Sequence, residues 1–352
     1  MTTLSVEGLP QGRTIFRTSL TRIWDAEAKL PGLEPLARDE WRLGDYVVVK
    51  VKEPVEGREL ELLSGRLIPL DAGDLIMGAL GSRFATLDAT GSWEDVSSDG
   101  CMHLLTAGGL LGRVRSRSPL MPPLVSVKYR GHLLVGGERL TMDQCAPPVS
   151  TPPTFQLPVV LLTGTSMSAG KTTAARTVIR TLRGMGLRVA GAKLTGAGRF
   201  RDILAMQDAG AHAVFDFVDG GLPSTHCSEE RFQVAANRVL ALLAKSDAQV
   251  AVVEVGASPL EPYNGSLAID MLRTSVVFHL LCASDPYAVL GALQAYQLEP
   301  QLVTGPTSNT EAGVQLVSQL TGLTALDLRV PSNLPHLDAG LRAALRETLH
   351  TP

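Results

Sequence analysis

The chain has 352 residues, which is enough for about two domains. Hydrophobic residues make up 45% of it and charged residues 19%, a balance that excludes an intrinsically disordered protein. Thirty-two basic and 35 acidic residues give a net charge of -3, so the chain lacks the overall positive charge that would attract a polyanionic partner. We therefore expect a folded protein that binds neither nucleic acid nor a membrane surface.

Cysteine usage and the first residues indicate the compartment. The four cysteines are scattered without a C-x-x-C pair, so neither a disulfide framework nor a cysteine zinc site is predicted. The first twenty residues lack the basic cap and apolar run of a signal peptide, and no apolar stretch is long enough to span a bilayer. These features predict a cytoplasmic protein.

A proline-rich segment at 146–158 predicts a linker between a domain at 1–145 and a domain at 159–352. Upstream, short β-prone runs separated by turn residues predict a small β-barrel or sandwich. The runs are Tyr46–Lys52, Glu59–Leu63, Leu75–Ala79, His103–Thr106, Leu124–Tyr129 and His132–Val135. Arg113, Arg115 and Arg117 alternate at period two and predict a solvated strand edge, with a face for an anionic partner as the alternative.

Downstream, apolar strands alternate with amphipathic helices, which predicts a mostly parallel, doubly wound α/β sheet. The predicted strands are 157–163, 187–193, 213–218, 249–255, 275–282, 301–304 and 325–329. The predicted helices are 171–183, 202–211, 229–245, 286–297, 310–320 and 336–350. His279 lies within an apolar strand and is predicted to be a hydrogen-bonded core histidine.

The first of these strands runs into a loop and a helix, which is the context that a phosphate-binding P-loop requires. Such a loop directs backbone N–H groups and a helix N-terminus at phosphate oxygens, while its lysine reaches the β- and γ-phosphates and the next hydroxyl binds Mg²⁺. The expected nucleotide-binding residues are Gly164, Thr165, Ser166, Met167, Ser168, Ala169, Gly170, Lys171, Thr172 and Thr173. The first glycine stands one position earlier than in the standard motif, which has glycine where this chain has Thr165.

This displaced glycine resembles the loop of the dethiobiotin synthetase and cobyric acid synthase branch of P-loop proteins, which belong to the SIMIBI class. RVAGAKLTGAG at 188–198 is similar to the second strand of dethiobiotin synthetase, where a lysine faces the reacting carboxylate or carbamate. The resemblance thus implies that role for Lys193. The segment that starts at Asp202 resembles a helix that supplies a magnesium ligand there, and also a segment of P-loop proteins of molybdopterin dinucleotide synthesis.

The segment VEVGASPLEPYNG at 253–265 resembles the E-G-A-G-S-P loop of cobyric acid synthase, with the glycine register shifted by one residue. It also resembles a two-domain P-loop family associated with D-glutamate breakdown, whose D-F-V-x-G element is matched at 216–220. The resemblance covers about 157–328 and has no counterpart upstream. On the substrate side it implies Lys193, Thr195, Ser258, Tyr263 and Asn264.

Carboxyl ends of parallel strands converge, so Lys171, Lys193, Asp202 and Glu254 are expected to meet in one crevice. Thr172, Asp202 and Glu254 supply oxygen ligands suited to Mg²⁺, and the two lysines offset charge on a transferred phosphoryl group. Asn309 either reads the nucleotide base or caps the helix after it. For Asp202 and Lys193 the alternatives are a helix N-terminal acid and a solvated strand-end lysine.

The expected function is an ATP-dependent synthetase or ligase that phosphorylates a small carboxylate or carbamate for attack by an amine. Lys171, Lys193 and Glu254 are its expected catalytic residues. Two alternatives remain open at this point: a nucleotide-gated accessory or regulatory NTPase, and an amino-acid N-acyltransferase. ATP with Mg²⁺ is the expected cofactor because no N-K-x-D segment is present, although Glu311 keeps GTP open. The resemblance also implies a homodimer.

Overall fold

The computed structural model describes residues 3–4, 15–25, 31–148, 155–296 and 298–349. The chain divides into two compact units. The barrel unit comprises Met1–Pro148, Ala197–Arg201 and Phe217–Ala235, and the sheet unit comprises Val149–Gly196, Asp202–Asp216 and Ala236–Pro352. Residues 149–154 of the predicted linker lie outside the described residues.

The N-terminal part of the barrel unit, up to Pro148, consists mainly of short strands. Its strands are β1 (Thr3–Leu4), β2 (Ile15–Arg17), β3 (Gly32–Glu34), β4 (Tyr46–Glu53), β5 (Glu59–Glu61), β6 (Leu67–Pro69), β7 (Leu75–Leu80), β8 (Ser82–Phe84), β9 (Ala89–Ser92), β10 (Cys101–Leu104), β11 (Leu110–Arg117), β12 (Ser126–Val135) and β13 (Glu138–Arg139). One turn of α-helix, α1 (Met142–Cys145), follows these strands.

Strand pairing decides between the predicted barrel and sandwich. The main order runs β7-β4-β12-β10-β11, and a further parallel pairing of β7 with β11 joins the two ends into a ring. The β-rich prediction is therefore confirmed in its barrel form. Alternate residues of β4 belong to two different hydrophobic clusters, with Val47 and Val49 in one and Tyr46 and Val48 in the other. Both faces of this strand are thus buried, as its apolar sequence requires.

Two segments of the downstream half belong to the barrel unit, which the sequence patterns did not indicate. Phe217, Val218 and Leu222 lie in the same hydrophobic cluster as Leu20 and Tyr46. The carboxylate of Glu61, which is fully buried, accepts the backbone N–H groups of Phe200 (2.7 Å) and Arg201 (3.0 Å). Apolar packing and buried hydrogen bonds therefore hold both segments in this unit.

The downstream strands are β14 (Val159–Gly164), β15 (Val189–Thr195), β16 (Ala213–Asp216), β17 (Val250–Val255), β18 (Val276–Cys282) and β19 (Leu302–Thr304). The helices are α2 (Lys171–Gly184), α3 (Phe200–Asp208), α4 (Glu229–Ala244), α5 (Gly265–Leu272), α6 (Pro286–Tyr296), α7 (Glu311–Thr321) and α8 (Leu334–Leu349). The strand order is β16-β15-β17-β14-β18-β19 with every pairing parallel, which confirms the predicted P-loop α/β fold.

In the downstream half, one predicted strand is missing and one helix was not predicted. The strand predicted at 325–329 is wrong, because only Ala325 bridges to Val303 while the Asp327 carboxylate is held by the Arg329 side chain. Helix α5 was not predicted. In the part of the chain that the structure describes, no helix has both the length and the apolar character needed to cross a membrane.

The strand order reverses at β14, which places the ends of several strands around one crevice. β14 leads through α2 to β15, yet its neighbours in the sheet are β17 and β18. In open parallel sheets ligands bind outside the carboxyl ends of strands at such a reversal. The ends of β14, β15 and β17 carry the P-loop, Lys193 and Glu254 respectively.

Candidate nucleotide and phosphoryl-transfer site

The P-loop joins the end of β14 to the start of α2. Gly170, at a φ of 94°, immediately precedes the first helical residue, Lys171. A Cβ atom at Gly164 would lie 2.7 Å from the Nζ atom and 2.9 Å from the Cδ atom of Lys171, so any larger residue here would displace the lysine side chain from its observed position. This contact explains the displaced glycine, because the Lys171 side chain passes the end of β14 at Gly164 and not at position 165.

Lys171 is buried against backbone oxygens. Its Nζ donates to the carbonyls of Ser166 (2.7 Å) and Ala257 (3.0 Å), and the residue is only 5% exposed. Burial lowers the pKa of Lys171 from its ordinary value, and the nearby Glu254 opposes this effect. Neutral carbonyls are weak partners for a buried cation, so a phosphate oxygen has a strong electrostatic advantage here.

Glu254 ends the buried part of β17, beside the first turn of α2. Its Oε2 atom accepts a long hydrogen bond from the Thr172 hydroxyl (3.5 Å), and the residue is 3% exposed. Burial raises the pKa of Glu254 above its ordinary value, while Lys193 and Lys171 lower it. The structure thus brings together the carboxylate, the hydroxyl and both lysines that the sequence predicted for one crevice.

Lys193 lies opposite Glu254 in the pairing of β15 with β17 and forms an ion pair with Asp202. The Nζ–Oδ2 distance is 2.5 Å, and the two side chains are 10% and 21% exposed. Burial alone would lower the pKa of Lys193, but Asp202 and Glu254 raise it above its ordinary value. A Cβ atom at Gly256 would lie 2.2 Å from the Thr195 carbonyl oxygen and 2.9 Å from the Lys193 Cε atom, so glycine is needed here for the close approach of the end of β15.

The oxygen donors fit a magnesium ion that arrives with a nucleotide. Among the described residues no group of three or more His, Cys, Asp or Glu side chains could hold a metal ion. Mg²⁺ in phosphate sites typically takes one or two protein ligands and completes its shell with phosphate oxygens and water. Thr172 and Glu254 offer such a pair of oxygen ligands, whereas Asp202 is engaged by Lys193.

The predicted substrate residues on the β17–α5 loop have different surroundings. Tyr263 is 1% exposed, and Asn264 adopts a left-handed backbone at the start of α5. Ser258 donates its backbone N–H to the Glu261 carboxylate at 2.7 Å, which shapes the turn. Ala257 also has a positive φ of 57°, a strained value for a residue with a Cβ atom. Their roles toward a substrate stay predictions.

Thr195, at the end of β15, is fully buried. Its hydroxyl donates to the Gly256 carbonyl at 3.0 Å. This bond ties the end of β15 to the loop after Glu254. The sequence placed Thr195 on the substrate side, and in the structure its hydroxyl already has a backbone partner.

A small cavity of about 120 Å³ lies beside the P-loop, with Gly170, Thr173 and Asn309 in its lining. Asn309 Oδ1 accepts a hydrogen bond from Arg329 at 2.7 Å. The cap alternative for Asn309 is wrong, because the Thr310 hydroxyl accepts the backbone N–H at the start of α7. No sequence signal indicated Arg329 at this cavity, since the segment had been predicted as a strand.

His279 is a core residue, as predicted. Its Nε2 atom shares a hydrogen bond with the Thr163 hydroxyl (2.8 Å), and the residue is 6% exposed. Burial lowers the pKa of His279 to about 4, so the ring is neutral at pH 7. This histidine supports β14 and β18 in its neutral form.

Comparison with known proteins gives structural likeness only. No protein-family model and no curated protein matches the chain. Similar solved structures include chloroplast FtsY from Physcomitrella patens (12% identity, TM-score 0.36, 52% of this chain) and a DUF1611 family protein from Anabaena variabilis (14%, 0.37, 59%). Another is the signal recognition particle 54 kDa protein from Aeropyrum pernix in complex with GDP (15%, 0.34, 58%).

The matched region covers 62%, 66% and 53% of those three chains, which is less than two thirds of each. Matches of this size carry no activity over to this chain. The fold itself is evident from the strand–loop–helix geometry at Lys171 and from the all-parallel strand order. The downstream half is a P-loop α/β fold.

Proposed function

We propose that the protein is an ATP- and Mg²⁺-dependent synthetase that phosphorylates a small carboxylate or carbamate for attack by an amine. One observation carries the proposal: a second buried lysine, Lys193, lies at the end of β15 and is held in its charged form by Asp202 and Glu254. Binding a triphosphate requires the P-loop lysine. Transfer of a phosphoryl group from this anion to a second anion, the carboxylate or carbamate acceptor, benefits from a further cation. The dethiobiotin synthetase resemblance independently implies this role.

The P-loop N–H groups and the start of α2 bind the phosphates, and Lys171 exchanges its backbone carbonyls for β- and γ-phosphate oxygens. Thr172 and Glu254 would hold Mg²⁺, and the ion would reduce the repulsion between the triphosphate and an anionic acceptor. Lys193 orients the acceptor and offsets the charge of its attacking oxygen.

The acceptor oxygen bonds to the γ-phosphorus as the bond to the β–γ bridging oxygen breaks, and ADP leaves with that electron pair. The amine nitrogen then attacks the acyl carbon of the mixed anhydride. Inorganic phosphate departs, and the nitrogen loses its proton to water or to a neighbouring carboxylate.

The test is Lys193→Ala with Lys245→Ala, an exposed lysine near the end of α4, as the matched control. ADP formation is measured with panels of carboxylates and amines, and ATP and GTP affinities are measured by calorimetry. We expect Lys193→Ala to abolish substrate-dependent ADP formation and to leave nucleotide affinity within about threefold, whereas Lys245→Ala behaves as wild type. Unchanged turnover in Lys193→Ala would refute the proposal.

The runner-up is a nucleotide-gated accessory protein. It is favoured by the observation that the segment between Lys193 and Asp202, Ala197–Arg201, belongs to the barrel unit. In that case ADP release would respond to a protein partner and not to small molecules. An N-acyltransferase, the third candidate, would consume no ATP during turnover.

We also propose a homodimer, on the resemblance alone. Leu260, in the loop after Glu254, is an apolar side chain that is 68% exposed. Sedimentation velocity of the full chain tests this, and a monomer at all concentrations would refute it.

A further inference from the structure

The barrel unit contains a cavity of about 230 Å³ that no part of the proposed reaction uses. Four arginines line it, namely Arg58, Arg83, Arg199 and Arg201. Among the described residues of its lining, the acids are Glu59 and Asp88. A cavity with this excess of guanidinium groups is suited to an anion.

Two of the arginines are fixed by the protein. Arg83, 7% exposed, donates to the Asp88 carboxylate (2.5 Å) and to the Leu105 carbonyl (2.6 Å). Its Nε atom is buried and has no hydrogen-bond partner in the described part of the chain. Arg58 donates to two backbone carbonyls, those of residues 122 and 123. These two side chains shape the cavity, and Arg83 keeps one donor unused.

The other two arginines have their guanidinium groups available. Within residues that the structure describes, neither Arg199 nor Arg201 forms a side-chain hydrogen bond or ion pair, and the Arg199 Nε atom is buried without a partner. Buried N–H donors nearly always have a partner in native proteins, so the Arg199 side chain in this lining has hydrogen-bonding capacity that an anion can use. The backbone N–H of Arg201 is held by Glu61, which fixes where this side chain starts.

The electrostatics also favour an added negative charge. Burial lowers the pKa of Arg58, Asp88 raises it, and the neighbouring Arg83 and Arg199 lower it further. Asp88 forms its ion pair with Arg83, and its single carboxylate is outnumbered by the guanidinium groups around the cavity. The mutual repulsion of these cations is relieved when an oxyanion binds between them.

The remaining walls are apolar. Leu104, Leu105, Leu124 and Val125 contribute to the lining and are each at most 7% exposed. Apolar walls with a few converging polar groups are typical of small-molecule sites. We propose that this cavity binds a small organic anion, with its carboxylate or phosphate group on Arg199 and Arg201 and its apolar part against the leucines. The site stands on its own residues and does not depend on the proposed synthetase activity.

The test is calorimetry on the 352-residue chain with a matched set of probes: phenyl phosphate, phenylacetate and neutral phenylacetamide. We expect at least one anion to bind and the amide not to bind. Arg199→Gln and Arg201→Gln should each weaken binding about tenfold or more, because each removes charge-assisted hydrogen bonds. Arg115→Gln, which alters an exposed, ion-paired arginine of the same unit outside the cavity, should bind as wild type.

Lys171→Ala separates this site from the P-loop. Probe binding retained in Lys171→Ala and weakened in Arg199→Gln supports the proposal whether or not nucleotide turnover is found. The acid group that binds identifies the ligand as a phosphate or a carboxylate. Loss of probe binding in Lys171→Ala but not in Arg199→Gln overturns it, as does the absence of saturable binding of both anions up to about 10 mM.

Discussion

The neutral core histidine predicts how the sheet unit responds to acid. His279 has a pKa of about 4 in the folded chain because of burial, against about 6.5 when unfolded. Between these values the unfolded chain binds the additional proton. The stability of the folded state therefore falls as the pH is lowered through this window, and the contribution is complete above about pH 6.5.

The size of the effect follows from the two pKa values. Going from pH 7 to pH 5 should cost about 2 kcal/mol from this residue alone, and the full loss near pH 4 is about 3 kcal/mol. His279→Gln supplies a side-chain amide in place of the Nε2 atom that meets the Thr163 hydroxyl, and it does not titrate. The variant should therefore keep much of the packing while losing this part of the pH dependence.

The assay has to report on the unit that contains the histidine. All three tryptophans, Trp24, Trp41 and Trp93, lie in the barrel unit, so their fluorescence follows that unit. Urea unfolding of the helices, followed by circular dichroism at pH 7 and pH 5, is the suitable measurement for the sheet unit. If wild type and His279→Gln lose the same stability between the two pH values, the assignment of a strongly lowered pKa is wrong.

Three further substitutions test the geometry. Gly164→Ala should weaken nucleotide binding about tenfold or more, because the added Cβ atom meets the P-loop lysine. The control Gly291→Ala, at an exposed helix position with open space around it, should raise the free energy of unfolding by up to about 1 kcal/mol. Equal nucleotide affinities of the two variants in calorimetry would contradict the predicted effect at Gly164. Ala257→Gly should raise the unfolding midpoint by relieving about 1 kcal/mol of left-handed strain, and a lower midpoint would show that the loop is not strained there. Asp202→Asn should lower the free energy of unfolding by about 2–4 kcal/mol, because it leaves Lys193 without its ion-pair partner. The double variant Lys193→Met, Asp202→Leu should recover part of this loss. Additive effects of the two single substitutions on unfolding would argue against the ion pair.

The P-loop half was predictable because its signals are local. Apolar strands bounded by glycines and amphipathic helices appear directly in the residue pattern, and the convergence of Lys171, Lys193 and Glu254 follows from parallel strand ends meeting at one edge. The displaced glycine was visible in the sequence, but its reason, the approach of the Lys171 side chain to Gly164, is a three-dimensional contact.

Non-local features could not be predicted in the same way. The barrel closes through the pairing of β7 with β11, and strand register of this kind depends on partners far along the chain. The Arg329 contact to Asn309 joins residues twenty positions apart through a turn that resembles a short strand in composition. Likewise, the spacing of apolar residues in 217–235 shows that one face of the segment is buried, but it does not show whether that face packs on barrel residues or on the sheet.

The membership of Phe217–Ala235 in the barrel unit has a consequence for synthesis of the chain. During translation the N-terminal half emerges from the ribosome long before these residues do, so the barrel core at first lacks Phe217, Val218 and Leu222. The first half must therefore wait, with part of its apolar surface uncovered, until roughly two thirds of the polypeptide has been made. A stop codon placed in the proline-rich segment would release an incomplete barrel, and separate expression of the two sequence halves should yield aggregation-prone products that recover when both are made together.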